Sequence, residues 1–368
     1  MTAGADDVAH MRAALALARR RQGVTWPNPP VGCVLVREGR VVGRGATAPE
    51  GRPHAEPLAL AMAGEHARGA TAYVTLEPCA HHGRTPPCAD ALIVAGVARV
   101  VAAVRDPDPR VDGKGLARLR AAGIAVEEGL LAAEAGEVMA GFVSRVRRGR
   151  PSVTLKLAST LDGRIATRGG VSRWITGAAA RFAAHALRGR HDAILVGVGT
   201  VLADDPELTC RIPAFRDRPL VRVIADSTLR TPSASRIVAT AGEAPSWILH
   251  GAEADPGRAR SLAERGVRLI AVPAAPSGID LAAALALLAQ TGLTSIIAEG
   301  GAAIAASLIA QDLVDRLVWF HAPGVLGADA WPAATALGVE PLTAMPRFLR
   351  RHSAPVGEDI LSEFARAA

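Results

Sequence analysis

Aromatic side chains make up only 3% of this 368-residue chain, and there is a single tyrosine. Proteins that track single-stranded nucleic acid stack bases on aromatic rings, and this chain has no basic run interleaved with such rings. Lysine is nearly absent: Lys114 and Lys156 are the only two among 42 basic residues. A lysine kept in a chain that otherwise uses arginine points to a task beyond bulk charge. There are four cysteines, Cys33, Cys79, Cys88 and Cys210, and with no export signal expected they do not point to a disulfide framework. No apolar run reaches 18 residues, so no membrane-spanning helix is expected. Met1 to Asp7 has no basic stretch followed by an apolar one. A secretory leader is therefore not expected, and a cytoplasmic location is.

What is present is a hydrophobic content of 49% and a length that suits two domains of ordinary size. The formal charge is +7, with 20 Lys plus Arg against 15 Asp plus Glu in the first 150 residues. The arginines are scattered, which favours a phosphorylated small substrate over nucleic acid.

Strand and helix patterns alternate along the chain, which predicts an α/β fold. Helical spacing runs from Asp6 to Arg21, and Gly32–Arg37 and Arg40–Gly45 read as a hairpin turned by Glu38-Gly39. Further helices are expected from His54, from Ala89 and over 130–147, and strands at 72–76 and 100–104. The basic stretch Arg145 to Pro151 marks the expected boundary, with domains at 1–148 and 149–368. In the second half, apolar strands are expected at 152–158, 193–197, 221–225, 247–249, 269–272, 295–298 and 317–321. Helices are expected between them at 177–188, 256–265, 281–290 and 302–311.

The densest chemistry lies in His54-Ala55-Glu56 and Pro78-Cys79 through Cys88. Hydrolytic loss of an amino group from a ring carbon needs hydroxide at neutral pH and a group that moves protons. Zinc held by one imidazole and two thiolates, with its fourth position open, meets the first need. A carboxylate that is not a ligand meets the second, and His-x-Glu followed by Pro-Cys and a second Cys is the deaminase pattern. His54, Cys79 and Cys88 are thus the expected metal ligands and Glu56 the catalytic acid–base. Cys88 follows a longer loop than the usual two-residue gap. A closed structural site, with His81 or His82 as fourth ligand, is the alternative, but Glu56 would have no purpose in it.

The segment Thr75-Leu76-Glu77-Pro78-Cys79-Ala80-His81-His82-Gly83-Arg84-Thr85-Pro86-Pro87-Cys88 closely resembles the deaminase half of the bifunctional riboflavin-biosynthesis deaminase–reductases. So do Asn28 to Gly32 and Asp106 to Val111. The resemblance implies a cytidine-deaminase-like, three-layer α/β/α domain acting on a diamino-hydroxy-pyrimidine ribosylamino 5'-phosphate. It places zinc on His54, Cys79 and Cys88, the proton shuttle at Glu56, and substrate contacts at Asn28, His81, Arg84, Asp106 and Asp108. Thr47 and Leu58 stand where the family usually has histidine.

Lys156 to Ala166, Ser172 to Thr176, Gly197 to Pro206 and Glu299-Gly300-Gly301 resemble the reductase half of the same family. This implies a dihydrofolate-reductase-like α/β domain that uses NADPH to reduce the ribosyl group to ribityl. By resemblance, Ala158, Trp174, Thr200, Asp204, Ser227 and the run Gly301, Ala302, Ala303, Ile304, Ala305, Ala306, Ser307 contact the cofactor. By the same resemblance Ser172, Arg188, Leu208, Arg211 and Glu299 contact the substrate; Lys156, one of two lysines and inside an expected strand, is itself read as a hydrogen-bond donor to it. The residues alone say less: there is no Gly-x-Gly-x-x-Gly after a first strand, and Glu299-Gly300-Gly301 reads either as a phosphate turn or as a plain tight turn. Two other functions fit parts of the pattern: a purely hydrolytic deaminase with a degenerate second domain, and a non-catalytic zinc-structured module that binds RNA. A homo-oligomer, dimer or tetramer, is the family expectation.

Overall fold

The computed structural model describes residues 4–83, 86–275 and 278–367. The chain divides into two compact units, one running to Gly149 and the other starting at Arg150.

The first unit runs α1 (Ala5–Arg19), β1 (Gly32–Arg37), β2 (Arg40–Ala46), α2 (Ala55–Ala63), β3 (Thr71–Val74), α3 (Cys88–Val94), β4 (Arg99–Ala102), α4 (Lys114–Ala121), β5 (Ala125–Glu128) and α5 (Ala132–Arg148). Its sheet has the order β2-β1-β3-β4-β5. β1 is antiparallel to β2 and β3, and β3 to β5 are parallel. The β1–β2 turn holds Glu38 at φ 51° and Gly39 at φ 73°, the two positive values that a tight hairpin turn of this hand requires. Helices lie close on both faces of the sheet. A Cβ on Gly32 would sit 2.0 Å from the Ala14 carbonyl oxygen of α1, and one on Gly45 would sit 2.2 Å from that of Ala55 in α2. Gly45 pairs with Cys33, the neighbour of Gly32, and successive strand residues face opposite sides. α1 and α2 therefore flank opposite faces, and α5 packs on α1. This is the three-layer α/β/α arrangement expected.

The second unit runs β6 (Ser152–Thr160), α6 (Ala178–Gly189), β7 (Ala193–Gly197), α7 (Val198–Asp204), β8 (Val221–Ala225), β9 (Ser246–His250), α8 (Pro256–Glu264), β10 (Arg268–Ala271), α9 (Leu281–Gln290), β11 (Ser295–Glu299), α10 (Ala302–Ala310), β12 (Arg316–Ala322), β13 (Phe348–Val356) and β14 (Asp359–Arg366). Its nine-stranded sheet has the order β10-β9-β8-β7-β11-β6-β12-β14-β13. The first seven strands are parallel and the last two antiparallel. The sequence patterns foretell neither α7 nor the β13–β14 hairpin. β13 reads Phe-Leu-Arg-Arg-His-Ser-Ala-Pro-Val and is largely exposed. It is held by a backbone ladder at a sheet edge, where an apolar alternation is not required. No helix among the described residues is long and apolar enough to cross a membrane.

Two buried polar side chains brace this sheet. Arg222 of β8 is 1% exposed, and its guanidinium donates to the carbonyls of Ile237, Thr240 and Ala244 and to the Thr240 hydroxyl at 2.7–3.2 Å. Arg222→Met takes the charged donor from those carbonyls and leaves them only neutral partners, the Ser246 hydroxyl on Ile237 and Ala244 and the Glu243 amide on Thr240. Chemical denaturation is expected to show a loss of roughly 3 kcal/mol; an unchanged midpoint would mean that the carbonyls find water. His191, after α6, donates from Nδ1 to the Leu187 carbonyl (2.8 Å) and accepts at Nε2 from the Thr154 hydroxyl (2.9 Å). Burial pushes its pKa down to about 4. The unfolded chain takes up a proton there below about pH 6.5 and the folded chain does not. Stability is therefore fully present above pH 6.5 and falls by about 3 kcal/mol as the pH drops to about 4. In His191→Gln the part of the stability–pH curve between pH 7 and 5 is expected to flatten; an identical curve would refute this role.

Candidate active sites

In the first unit, His54 is the N-cap residue of α2, with extended backbone, and Glu56 lies in the first turn. Cys79 follows β3, and Cys88 opens α3. The long loop between the cysteines closes because the Ala89 amide donates to the Cys79 carbonyl (3.2 Å) and the Cys88 amide to the Cys79 thiol (3.3 Å). His54 Nδ1 lies 3.3 Å from Cys88 Sγ and 3.8 Å from Cys79 Sγ. Tetrahedral zinc–sulfur and zinc–nitrogen bonds put such atoms about 3.6 Å apart. The three ligand atoms lie within 4.8 Å of one another, and no fourth His, Cys, Asp or Glu joins them among the described residues. The donor set thus fits zinc with one position left for a non-protein ligand.

Glu56 is 3% exposed. Burial, with Cys79 acting the same way and His54 opposing, pushes its pKa up to about 7. Hydrogen bonding from Cys88, and next from His54, outweighs burial at Cys79 and draws that thiol down to about 4. The contact with Cys79 pushes the Cys88 thiol well up. The site therefore favours a thiolate at Cys79 and keeps a carboxyl beside it near its midpoint at neutral pH.

A residue that the motif reading did not assign holds this site together. Glu77 is buried and accepts amide hydrogen bonds from Asp106, Gly113, Gly115 and Leu116 at 2.9–3.3 Å. It ties the Asp106 loop and the start of α4 to the Pro78-Cys79 turn. The approach is so close that a Cβ on Gly115 would lie 1.9 Å from the Pro78 oxygen. A carboxylate directly before a Pro-Cys ligand pair was the available signal.

The remaining positions expected from the sequence have these places. Asn28 donates to the Gly51 carbonyl (2.8 Å). Asp106 accepts from the Asp108 amide (2.9 Å), and burial pushes its pKa up to about 7. Asp108 pairs with Arg110. His81 has a buried Nδ1 with no hydrogen-bond partner among the described residues. Arg84 lies outside the described residues. Thr47 is 1% exposed, and its hydroxyl accepts from the Val31 amide (3.0 Å), so it staples backbone. Leu58 is half-buried.

The second unit contains a cavity of 330 Å³. It gathers eleven of the positions expected from the sequence: Lys156, Ala158, Ser172, Trp174, Arg188, Thr200, Asp204, Leu208, Arg211, Glu299 and Gly301. Ser227 and the run Ala302, Ala303, Ile304, Ala305, Ala306, Ser307 are not in its lining. Helical geometry turns Ala305 and Ala306 into the core, while Ala303 is exposed. His185, Arg181, Gly300 and Phe320 line the cavity in addition.

At its base Arg188 grips Glu299 through two hydrogen bonds (2.6 and 2.9 Å), with Lys156 Nζ 3.7 Å from the same carboxylate. Burial alone would raise the Glu299 pKa, but Arg188 and Lys156 win and hold it at about 2. Burial pulls Lys156 below the usual lysine range despite Glu299. On another wall, Gly300 and Gly301 have φ of 72° and 76° just before α10. A Cβ on Gly300 would come 3.1 Å from Thr200 Oγ1. This is a backbone cradle at a helix start, suited to a phosphate-bearing cofactor. Trp174, 66% exposed, stacks under Arg181 at 4.5 Å.

Comparison with known proteins gives both halves a family. Residues 5–104 match the cytidine and deoxycytidylate deaminase zinc-binding region, and residues 151–362 match the RibD C-terminal domain. The riboflavin biosynthesis protein RibD of Escherichia coli is 44% identical, over 96% of this chain and 98% of that one. Its counterpart in Aquifex aeolicus is 41% identical over 98% of each chain. Among solved structures, Acinetobacter baumannii RibD superposes with a TM-score of 0.89 at 37% identity, over 99% of both chains. A diaminohydroxyphosphoribosylaminopyrimidine deaminase/5-amino-6-(5-phosphoribosylamino)uracil reductase from Thermotoga maritima superposes with a TM-score of 0.86 at 34% identity, over 98% of this chain and 99% of that one. The chain belongs to the RibD family of riboflavin biosynthesis, and is a bifunctional enzyme that couples a zinc-dependent deaminase to an NADPH-dependent reductase.

Proposed function

We propose that residues 1–148 carry the deaminase and residues 149–368 the reductase, acting in turn on one phosphorylated pyrimidine. The substrate is 2,5-diamino-6-(5-phosphoribosylamino)pyrimidin-4(3H)-one, the compound class named for the Thermotoga relative. The observation that carries the reading is the buried Glu56 beside the His54, Cys79 and Cys88 cluster. A closed structural zinc site gives such a carboxylate nothing to do.

His54, Cys79 and Cys88 hold the zinc ion. When bound, zinc supplies a Lewis acid that makes hydroxide available from water near neutral pH. Glu56 takes the water proton on its carboxylate and delivers protons to the ring nitrogen and to the departing amine. A pKa of about 7 lets it do both. Asn28, His81, Arg84, Asp106 and Asp108 hold the substrate, the unpartnered Nδ1 of His81 being ready to meet a polar ring atom. In the second unit Ala158, Trp174, Thr200, Asp204 and Gly301 hold NADPH, which supplies the hydride, while Ser227 and residues 302–307 lie outside the cavity lining. Ser172, Leu208 and Arg211 hold the substrate, and Lys156 donates to the sugar oxygen. Arg188 and Glu299 keep that ammonium in place. The cavity and its ion triad speak against a degenerate second domain.

We also read the protein as a cytoplasmic homo-oligomer that binds no nucleic acid. Its two ligand thiols need reducing surroundings, and an open edge strand such as β13 suits pairing with a second copy. Metal analysis tests the core of the proposal. Wild type is expected to carry about one zinc per chain, and Cys79→Ser and Cys88→Ser far less. Full zinc in both variants would dismiss the ligand assignment.

A further inference from the structure

The proposed substrate carries a phosphate, and three arginines line the cavity: Arg181, which stacks on Trp174 and donates to the Thr176 carbonyl (2.7 Å), Arg188 and Arg211. Arg188 uses Nε and Nη2 on Glu299 and Nη1 on the Thr209 carbonyl (3.3 Å). Arg211 is exposed, and its Nε donates to His185 Nε2 (3.2 Å). Among the described residues its Nη1 and Nη2 meet no acceptor.

His185 is built into this corner from several sides. Its carbonyl accepts from the Cys210 thiol (3.2 Å), and its Nδ1 faces the Arg211 amide (3.2 Å). It sits one helical turn before Arg188 on α6, so one helix face fixes the whole Thr209-Cys210-Arg211 segment. A neutral imidazole has one acceptor nitrogen and an imidazolium has none. Both ring nitrogens face Arg211 donors, so the ring holds the Arg211 side chain only as the neutral tautomer that carries its proton on Nδ1, forgoing the amide contact there.

We propose that His185 is the positioning residue for phosphate recognition at the reductase site: neutral, it aims the Arg211 guanidinium at the phosphate, and protonated, it releases it. This rests on the reading of Arg211 as a substrate contact. The charged groups facing the ring are Arg188 on α6, Arg211 on the following loop and Glu299 on β11. Burial first, then Arg188 and Arg211, hold the histidine below its usual pKa. Glu299 and the Thr209 carbonyl act the other way. The ring is thus neutral at pH 7 and gains its proton on the acid side.

The test uses the full chain and the deaminated substrate with and without its phosphate, with reductase kinetics from pH 5 to 8. Ammonia release by the same preparations reports on the first unit, and turnover of the dephosphorylated compound reports on the fold of the second. At pH 7.5, His185→Leu is expected to raise KM for the phosphorylated compound roughly tenfold, the size of one lost hydrogen bond to a charged group. Its kcat and its KM for the dephosphorylated compound are expected to stay within about twofold. His185→Gln keeps an acceptor without titrating, so it is expected to restore KM at pH 7.5. It is also expected to lose the part of the acid rise in KM that exceeds the titration of phosphate itself, whose second pKa is about 6. Equal KM in wild type and His185→Leu would overturn the proposal, as would equal effects on both compounds. Arg211→Ala separates the two levels. If it leaves KM unchanged, the substrate reading of Arg211 fails; if it raises KM and His185→Leu does not, only the role of His185 fails.

Discussion

Glu56→Gln is expected to cut ammonia release about 10³-fold while zinc stays bound and the reductase keeps its rate on the deaminated compound. The size follows from removing a positioned proton carrier, which contributes between about 10² and 10⁴. Glutamine fills the same buried volume and adds no charge, so the fold has no reason to change. Glu56 is not one of the three clustered ligand atoms, so the metal is retained. The pH profile gives a second signature. With a carboxyl near 7, the wild-type rate is expected to vary around neutrality through that group. The residual rate of the variant should lack this inflection. A rate within tenfold of wild type would remove Glu56 from the mechanism.

Glu299→Ala is expected to be the most damaging single change in the second unit. It leaves Lys156 and Arg188 as two buried cations without their shared carboxylate. Breaking a buried ion pair from one side costs about 3–5 kcal/mol, because the remaining charge is uncompensated. Lys156, losing the carboxylate that raises its pKa, then shifts further below its usual range. Reduction is expected to fall more than about 100-fold, with a clear drop in the denaturation midpoint of this unit and ammonia release retained. Glu299→Gln keeps the shape and restores part of the stability but not the rate. An alanine variant that reduces substrate normally would show that the triad is not part of the site.

How much of this was legible in the sequence differs between the halves. The zinc cluster was, because its parts are local: a His at a helix start, a Glu two residues on, and a Pro-Cys after a strand. The return of Cys88 was harder to see, since it depends on backbone bonds to Cys79 across a long loop. Glu77 offered only its place before Pro78-Cys79 as a signal, because its four partners come from residues 106 to 116, far along the chain. In the second half, Lys156 stood out by rarity, and the turn at Gly300-Gly301 by its place between strand and helix. The alanine run after it looks uniform in sequence, yet the helix sends Ala305 and Ala306 inward and leaves Ala303 exposed. His185 gave no signal, because an imidazole on a helix is ordinary until a distant arginine meets it. The terminal hairpin escaped for a different reason. Its edge strand is paired through backbone and carries no apolar code, although Gly357-Glu358 is the kind of two-residue turn that could have announced it.

The most direct test of the bifunctional account follows one preparation through both reactions. Zinc-loaded full-length protein is given the diamino-pyrimidine phosphate and NADPH, and ammonia and NADPH are read together. Ammonia is expected to appear first, with NADPH oxidised in equal amount afterwards and no oxidation in Glu56→Gln until the deaminated compound is added. NADPH oxidation without prior ammonia release, or ammonia release with no oxidation to follow, would contradict it.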